Sequence, residues 1–534
     1  MGKNNWRKKK EIGGFYIPNQ FLFRLKLMMN KLSFILIVLF SLACNSKETH
    51  LSKPNIVLIL ADDLGYGEVG YNGQEIIQTP QIDQLAAEGK IFTNFYTAAP
   101  VCAPARCMLL TGLHSGHAYI RGNDEWRERG EVWDYAKAAN DPNLEGQRPL
   151  PSGTLTIAKI LQQNGYQTGI VGKWGLGAPL SEGIPTNLGF DYFYGYNCQR
   201  QAHNLYPPHL WENETKILLN NQLVVPSTKL DSLADPMDPS SYKRFQQTDY
   251  APDLMHEKAL AFIENNKDQP FFLYYASPLP HLPLQVPSEN MEDYQKVIGD
   301  EQYYDGSKGY FPNRYPRATY AAMISLLDKQ VGEIRAKLED LGLSENTLII
   351  VTSDNGPTYT GGVDFDYFKS SDPFSNGYGR TKGFVYEGGI RVPMLVNWPG
   401  KIKSGTVTDH VSALYDLLPT ICELIGAKIP VDTDGKSFLS TLLGKRQEPH
   451  KYLYWEFPEY GGQQAVRMGK WKAVRQNLKE GKIQTELFDL EADPKELHDL
   501  ASQFPEIVSK MEEIMKKEHS PSSIERFRLE ALGD

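Results

Sequence analysis

Four short apolar runs constrain this chain more than any other feature, because each one ends in a cluster of polar residues. Residues 55–60 run into Ala61-Asp62-Asp63-Leu64-Gly65, and residues 167–171 into Gly172-Lys173-Trp174-Gly175. Residues 271–276 lead to Pro280-His281-Leu282-Pro283, and residues 347–352 to Ser353-Asp354-Asn355-Gly356. Apolar runs of this length, without alternation, are the pattern of strands buried on both faces of a parallel sheet. Helical stretches separate them. Residues 79–89 start at Pro80 and stop at Gly89, and residues 154–164 and 250–265 have helical spacing. In residues 318–341, Ile324, Leu327, Val331, Ile334 and Leu338 recur along one stripe. The predicted fold class is α/β: a large mixed, mostly parallel sheet sandwiched by helices. From about Tyr452 the texture changes to short alternating segments, which predict a small C-terminal antiparallel sheet closed by a helix near 505–517. The expected division is residues 1–44 outside the fold, 53–440 as the main domain and 450–534 as the C-terminal subdomain.

Open α/β sheets bind ligands at the carboxyl ends of their strands. Four polar clusters delivered to that same end predict one site at one rim. Asp62, Asp63, Asp354 and Asn355 would bring three carboxylates and an amide oxygen together, and these repel unless a cation neutralises them. All-oxygen ligation selects Ca²⁺ or Mg²⁺ over zinc. Taken singly, each acidic residue reads nearly as well as a cap or a turn residue.

Residues 101–112, VCAPARCMLLTG, predict a helix with Pro104 at its first position and Gly112 just past its end. Cys102 would then stand at an electropositive helix N-terminus, with Arg106 one turn along, so a nucleophile there would meet an anionic substrate. The net charge of −9 argues against nucleic acid as a partner, and means that an anion pocket needs cations of its own.

The Cys-x-Pro-x-Arg run followed by Leu and Thr-Gly resembles the signature of the formylglycine-dependent (type I) sulfatases, the arylsulfatase family of the alkaline phosphatase superfamily. The resemblance runs from about residue 53 to the end. It implies that Cys102 is oxidised to formylglycine by a formylglycine-generating or radical maturase enzyme, and that the hydrated aldehyde attacks sulfur. It further implies Ca²⁺ (Mg²⁺ as the variant) on Asp62, Asp63, Asp354, Asn355 and the Cys102-derived oxygen. Arg106 and Lys173 match the family's residues around that oxygen. Lys382, in Gly379-Arg380-Thr381-Lys382-Gly383, matches a lysine that touches sulfate, His281 the leaving-group acid, and Asp354 the acceptor of the nucleophile's proton. Two positions depart from the pattern. Ala105 stands where Ser is usual, and Gly175 where the family has a His. His203, in Gln199-Arg200-Gln201-Ala202-His203, is expected to reach the pocket in place of that His and to contact substrate with Lys382 and His281.

The expected substrate is a sulfated saccharide, with galactose or N-acetylgalactosamine sulfates leading. Loops 120–150, 194–212 and 357–378 supply aromatic residues for stacking on sugar faces, among them Trp126, Trp133, Tyr206, Trp211 and Tyr367. Two rivals stand beside this reading: a phosphate or phosphonate ester hydrolase of the same superfamily, and a non-catalytic lipoprotein that binds sulfoglycans.

The apolar run at 32–43 is too short to span a bilayer and has the flanks of a signal-peptide core. Leu42-Ala43-Cys44 resembles a bacterial lipoprotein cleavage box. Export and a lipid anchor at Cys44, in the periplasm or outer membrane, are therefore expected. Residues 1–27 are basic and precede the signal, which makes Met28 or Met29 the plausible start. The remaining cysteines, Cys102, Cys107, Cys198 and Cys422, are too few for a disulfide framework, and no Cys/His spacing suggests zinc.

Overall fold

The computed structural model describes residues 53–534, together with Gln20 and Arg24. The signal run and Cys44 lie outside the described residues. Residues 53–534 form one compact unit. The strands β1 (Asn55–Ala61), β2 (Gln167–Lys173), β3 (Phe271–Ala276) and β4 (Thr347–Ser353) lie side by side at its centre in the order β4-β1-β3-β2, all parallel. These are the four runs that end in polar clusters, so the carboxyl ends meet along one rim. Six further strands complete a ten-stranded mixed sheet. The strand Tyr192–Tyr196 continues it in parallel beside β2, while Met394–Asn397 runs antiparallel beside β4.

Successive residues of β1 serve opposite faces. Ile56, Leu58 and Leu60 enter one apolar cluster, whereas Val57, Ile59 and Ala61 enter the other. Both faces are covered, which is why the run shows no polar alternation. Each such side chain, once buried, contributes about 2 kcal/mol before chain entropy is set against it. The helices Pro80–Glu88, Ala251–Asn265 and Pro316–Asp340 cover one face. The helices Cys102–Thr111, Ile157–Gln163 and Leu417–Ile425 cover the other. No helix among the described residues is long and apolar enough to cross a membrane.

The C-terminal sheet has four antiparallel strands, Leu453–Phe457, Gln463–Met468, Trp471–Arg475 and Thr485–Asp489. One face packs Tyr454, Val466 and Leu487 on Met511 and Met515 of the helix Pro505–Glu518. The other face sends Leu453, Trp455, Phe457 and Phe488 into the main core.

Candidate active site

Cys102 begins its helix, with Val101 as the extended N-cap and Gly112 closing it at φ +71°. Pro104 is the third helical residue and not the first. It still lies in the first turn, where a missing N–H costs nothing. All ten residues of this helix are buried. The Asn123 side-chain oxygen accepts from the Ala103 N–H at 3.2 Å.

The rim brings every residue expected at the reaction centre together. The Cys102 thiol donates to Asp62 Oδ1 at 3.3 Å, and Lys382 Nζ stands 3.8 Å from Cys102 Sγ. Lys173 Nζ lies 2.5 Å from Asp62 Oδ2. Lys382 Nζ bridges both oxygens of Asp63 at 2.6 Å. One helical turn from Cys102, Arg106 directs Nε and Nη2 at Asp354 Oδ2 (3.1 and 2.8 Å) and Nη1 at the Lys173 carbonyl (2.6 Å). Asp63 adopts φ +69°, a strained conformation of the kind that persists where surrounding structure enforces it. That turn aims its N–H at Asp354 Oδ1, 3.2 Å away. Gly172, at φ +123°, allows the chain to deliver Lys173. A Cβ there would fall 1.9 Å from the Ala276 carbonyl oxygen.

The electrostatics differ from the expectation in one respect. The three carboxylates are not left to an ion alone, because Arg106, Lys173 and Lys382 are buried against them. Burial would raise the Asp62 carboxyl, but Lys173, Arg106 and Lys382 hold it far below the ordinary range. Burial and the Asp62 charge outweigh Arg106 at Asp354 and raise it to about 7. Asp63 is also raised, chiefly by burial. The donors fit a hard divalent cation. Oxygen atoms predominate, two carboxyl groups remain under-stabilised, and Asn355 Oδ1 is buried without a hydrogen-bond partner. Asp62, Asp63, Cys102 and His281 each offer a ligand atom within 4.8 Å of the others. Burial and the neighbouring carboxylates push the Cys102 thiol up, so the encoded side chain is a neutral thiol and a weak nucleophile.

His281 Nδ1 donates to the Leu282 carbonyl at 2.6 Å, which turns Nε2 towards the site, 3.8 Å from Asp63 Oδ2. His203 reaches the same place by stacking on His281, with ring centroids 5.5 Å apart. It stands beside His281 and not beside position 175. Gly175 has φ +77°, and the side chain nearest a Cβ built there is Gln199.

The aromatic residues expected to face sugar divide between the core and the surface, where Trp133 is 54% exposed. Tyr206 and Trp211 are buried in the core. Trp126, Trp133 and Tyr367 each lie beneath an arginine, namely Arg129, Arg200 and Arg317. Sequence reasoning missed Tyr310, edge-on to both His203 and His281, and Tyr460, whose ring lies against Gly383 beside Lys382. Neither carries a local signal, since each arrives from a distant loop.

This constellation can be set against known proteins. The Sulfatase family model matches residues 54–427. The chain belongs to the sulfatase family. A model of the N-sulphoglucosamine sulphohydrolase C-terminal region matches residues 378–520 of this sulfatase. Human arylsulfatase A is 35% identical over 436 residues, covering 79% of this chain and 74% of the relative. The N-acetylgalactosamine-6-O-sulfatase of Bacteroides thetaiotaomicron is 28% identical, covering 87% and 93%. Among solved structures, Ps i-CgsB superposes with TM-score 0.67 at 29% identity, covering 87% of this chain and 92% of the other. A second crystal structure of that protein holds k-i-k-neocarrahexaose and has TM-score 0.66. The sulfatase is thus a type I enzyme of the alkaline phosphatase superfamily, a sulfuric ester hydrolase.

Proposed function

We propose that this sulfatase removes sulfate esters from glycans, with galactose or N-acetylgalactosamine sulfates as substrates. The observation that carries the reading is the single rim where Cys102 meets Asp62, Arg106, Lys173 and Lys382. The named activity of the Bacteroides relative and the oligosaccharide held by Ps i-CgsB support the choice of sugar.

Formylglycine made from Cys102 would supply a hydrated aldehyde as nucleophile, and Ca²⁺ held by Asp62, Asp63, Asp354 and Asn355 would supply positive charge beside it. The chain's own groups do the rest. Asp354, whose Oδ2 is held by two Arg106 nitrogens, is the carboxylate placed to take the nucleophile's proton. Lys173 and Lys382 present ammonium groups to the equatorial oxygens of a bound sulfate ester, where negative charge develops. Arg106 holds Asp354 and the Lys173 backbone in one geometry. His281 Nε2 is positioned to give its proton to the departing sugar oxygen. Burial and the two lysines keep the empty imidazole neutral, and the negative charge of the ester acts in the opposite direction, towards protonation.

Cys102 is buried in the finished fold, so we assign its oxidation by a maturase to the chain before folding is complete. Export and lipidation at Cys44 belong to the same proposal.

The test is mass spectrometry of the Cys102 peptide from native-host protein, paired with sulfate release before and after chelation. An aldehyde at Cys102, turnover lost on chelation and turnover restored by Ca²⁺ are expected. An unmodified cysteine in active protein would overturn the proposal, as would faster cleavage of an aryl phosphate than of an aryl sulfate. The His203 stack gives a further prediction. His203→Ala should lower kcat about tenfold, the scale of a weakened positioning contact, about 1.4 kcal/mol. An unchanged kcat would remove His203 from the site.

A further inference from the structure

A cleft of about 490 Å³ lies between the loop around Tyr303 and the loop around Phe365, outside the reaction centre. Tyr359 lines it and ties it to that centre. The Tyr460 ring lies against Gly383, next to Lys382, and reaches Tyr359 through neighbouring rings. Tyr359, Tyr378, Phe384 and Tyr460 form a continuous chain of edge-on rings with centroids 5.2–5.5 Å apart. Tyr378 is 75% exposed and Tyr460 47%. The cleft's ionic groups are mostly satisfied within the protein. Arg317 pairs with Asp364 at 2.6 Å, and Glu301 accepts from the Arg317 and Ala318 N–H groups. Lys308 has no ion-pair partner among the described residues. Tyr303, Tyr359 and Phe365 remain partly exposed on its walls. The volume suits a ligand of several rings, and aromatic walls with a few polar groups suit the alternating apolar faces and hydroxyl edges of a sugar chain.

We infer that this cleft holds the saccharide units that follow the sulfated one, so the preferred substrate is an oligosaccharide and not a sulfated monosaccharide. The inference rests on the sulfatase reading above and adds the substrate's length. The ring path from Lys382 through Tyr460, Phe384, Tyr378 and Tyr359 gives the chain its route, and Lys308 gives a further acidic group on that chain a partner.

The experiment compares kcat/KM for N-acetylgalactosamine 6-sulfate and for a chondroitin 6-sulfate tetrasaccharide, with sulfated galactose and a sulfated galactan hexasaccharide as a second pair. The oligosaccharide should exceed the monosaccharide by tenfold or more in the series the enzyme accepts. Tyr303→Ala and Lys308→Ala should each erode that ratio several-fold through KM. Equal rates on both lengths, or a ratio unmoved in the Tyr303→Ala/Phe365→Ala variant, would overturn the inference. Binding of the desulfated oligosaccharides to the Cys102→Ala protein, followed by calorimetry, needs no turnover. Binding that weakens in Tyr303→Ala supports the cleft even if sulfate release fails, and absence of binding in both series rejects it.

Discussion

Replacing Cys102 with Ala should lower kcat by about 10⁴-fold or more while leaving the fold in place. A loss of that size is what removing a nucleophile costs when the rest of the site remains. The structural cost is small by comparison. Sγ touches Asp62 and Lys382, but the helix that carries it is anchored by Arg106, by Asn123 and by ten buried residues. Removing one sulfur from a packed site leaves a small void, worth about 1 kcal/mol. Thermal unfolding should therefore shift by a few degrees at most, and Ca²⁺ should still protect the variant, because Asp62, Asp63, Asp354 and Asn355 are untouched. Turnover within tenfold of the parent enzyme would put the nucleophile elsewhere, and the proposed mechanism would fall with it. Alanine is the informative choice, since it can be neither oxidised to an aldehyde nor ionised.

The rim was legible in the sequence because its signals are local. A fully apolar strand leading straight into Asp62-Asp63 or Asp354-Asn355 states both the burial and the exit point within ten residues. Parallel neighbours then carry those exits to one edge. Lys382 had no such signal. It follows no long strand, and only the resemblance of Gly379-Arg380-Thr381-Lys382-Gly383 to the family motif singled it out. The sharing of charge between three carboxylates and three cations was also out of reach, since composition reports how many charges exist but not which meet. Which of the aromatic residues are buried was out of reach for a related reason. Trp211 sits in a β-hairpin, where it buries against Glu145, and nothing local separates it from an exposed ring. Tyr310 and Tyr460 reach the site only through tertiary packing, one edge-on to His281 and the other carried there by the C-terminal sheet.

That sheet is coupled to the catalytic segment through a buried ion cluster, and breaking the cluster should have the largest effect on stability. Lys472 Nζ lies 2.9 Å from both Glu387 Oε1 and Glu496 Oε1, with all three side chains essentially inaccessible to water. Glu387 also accepts from the Tyr96 hydroxyl and Arg391, and it follows closely on the loop bearing Lys382. Gln463, from the same sheet, donates to the Gly383 carbonyl at 2.7 Å and accepts from the Val385 N–H at 3.0 Å. Lys472→Met keeps the length of the side chain but strands two carboxylates, so about 3–5 kcal/mol should be lost at pH 7. The pH dependence distinguishes charge from packing. Burial would raise Glu387, but Lys472, Arg391 and Arg467 hold it at about 2, so its stabilising contribution is full above the ordinary carboxyl range and fades as pH falls through about 2. Glu496 is raised to about 7 by burial and by the Glu387 charge, against Lys472, so it costs stability as pH climbs from about 4.5 through 7. Without Lys472 both carboxyls should shift upwards and take protons sooner. The deficit of Lys472→Met relative to the parent, measured by chemical denaturation, should therefore shrink between pH 7 and pH 5. A second change, Glu496→Gln, should recover part of it at pH 7. A deficit that is the same at both pH values would mean that Lys472 acts through packing alone, and that no buried charge couples the C-terminal sheet to the Lys382 loop.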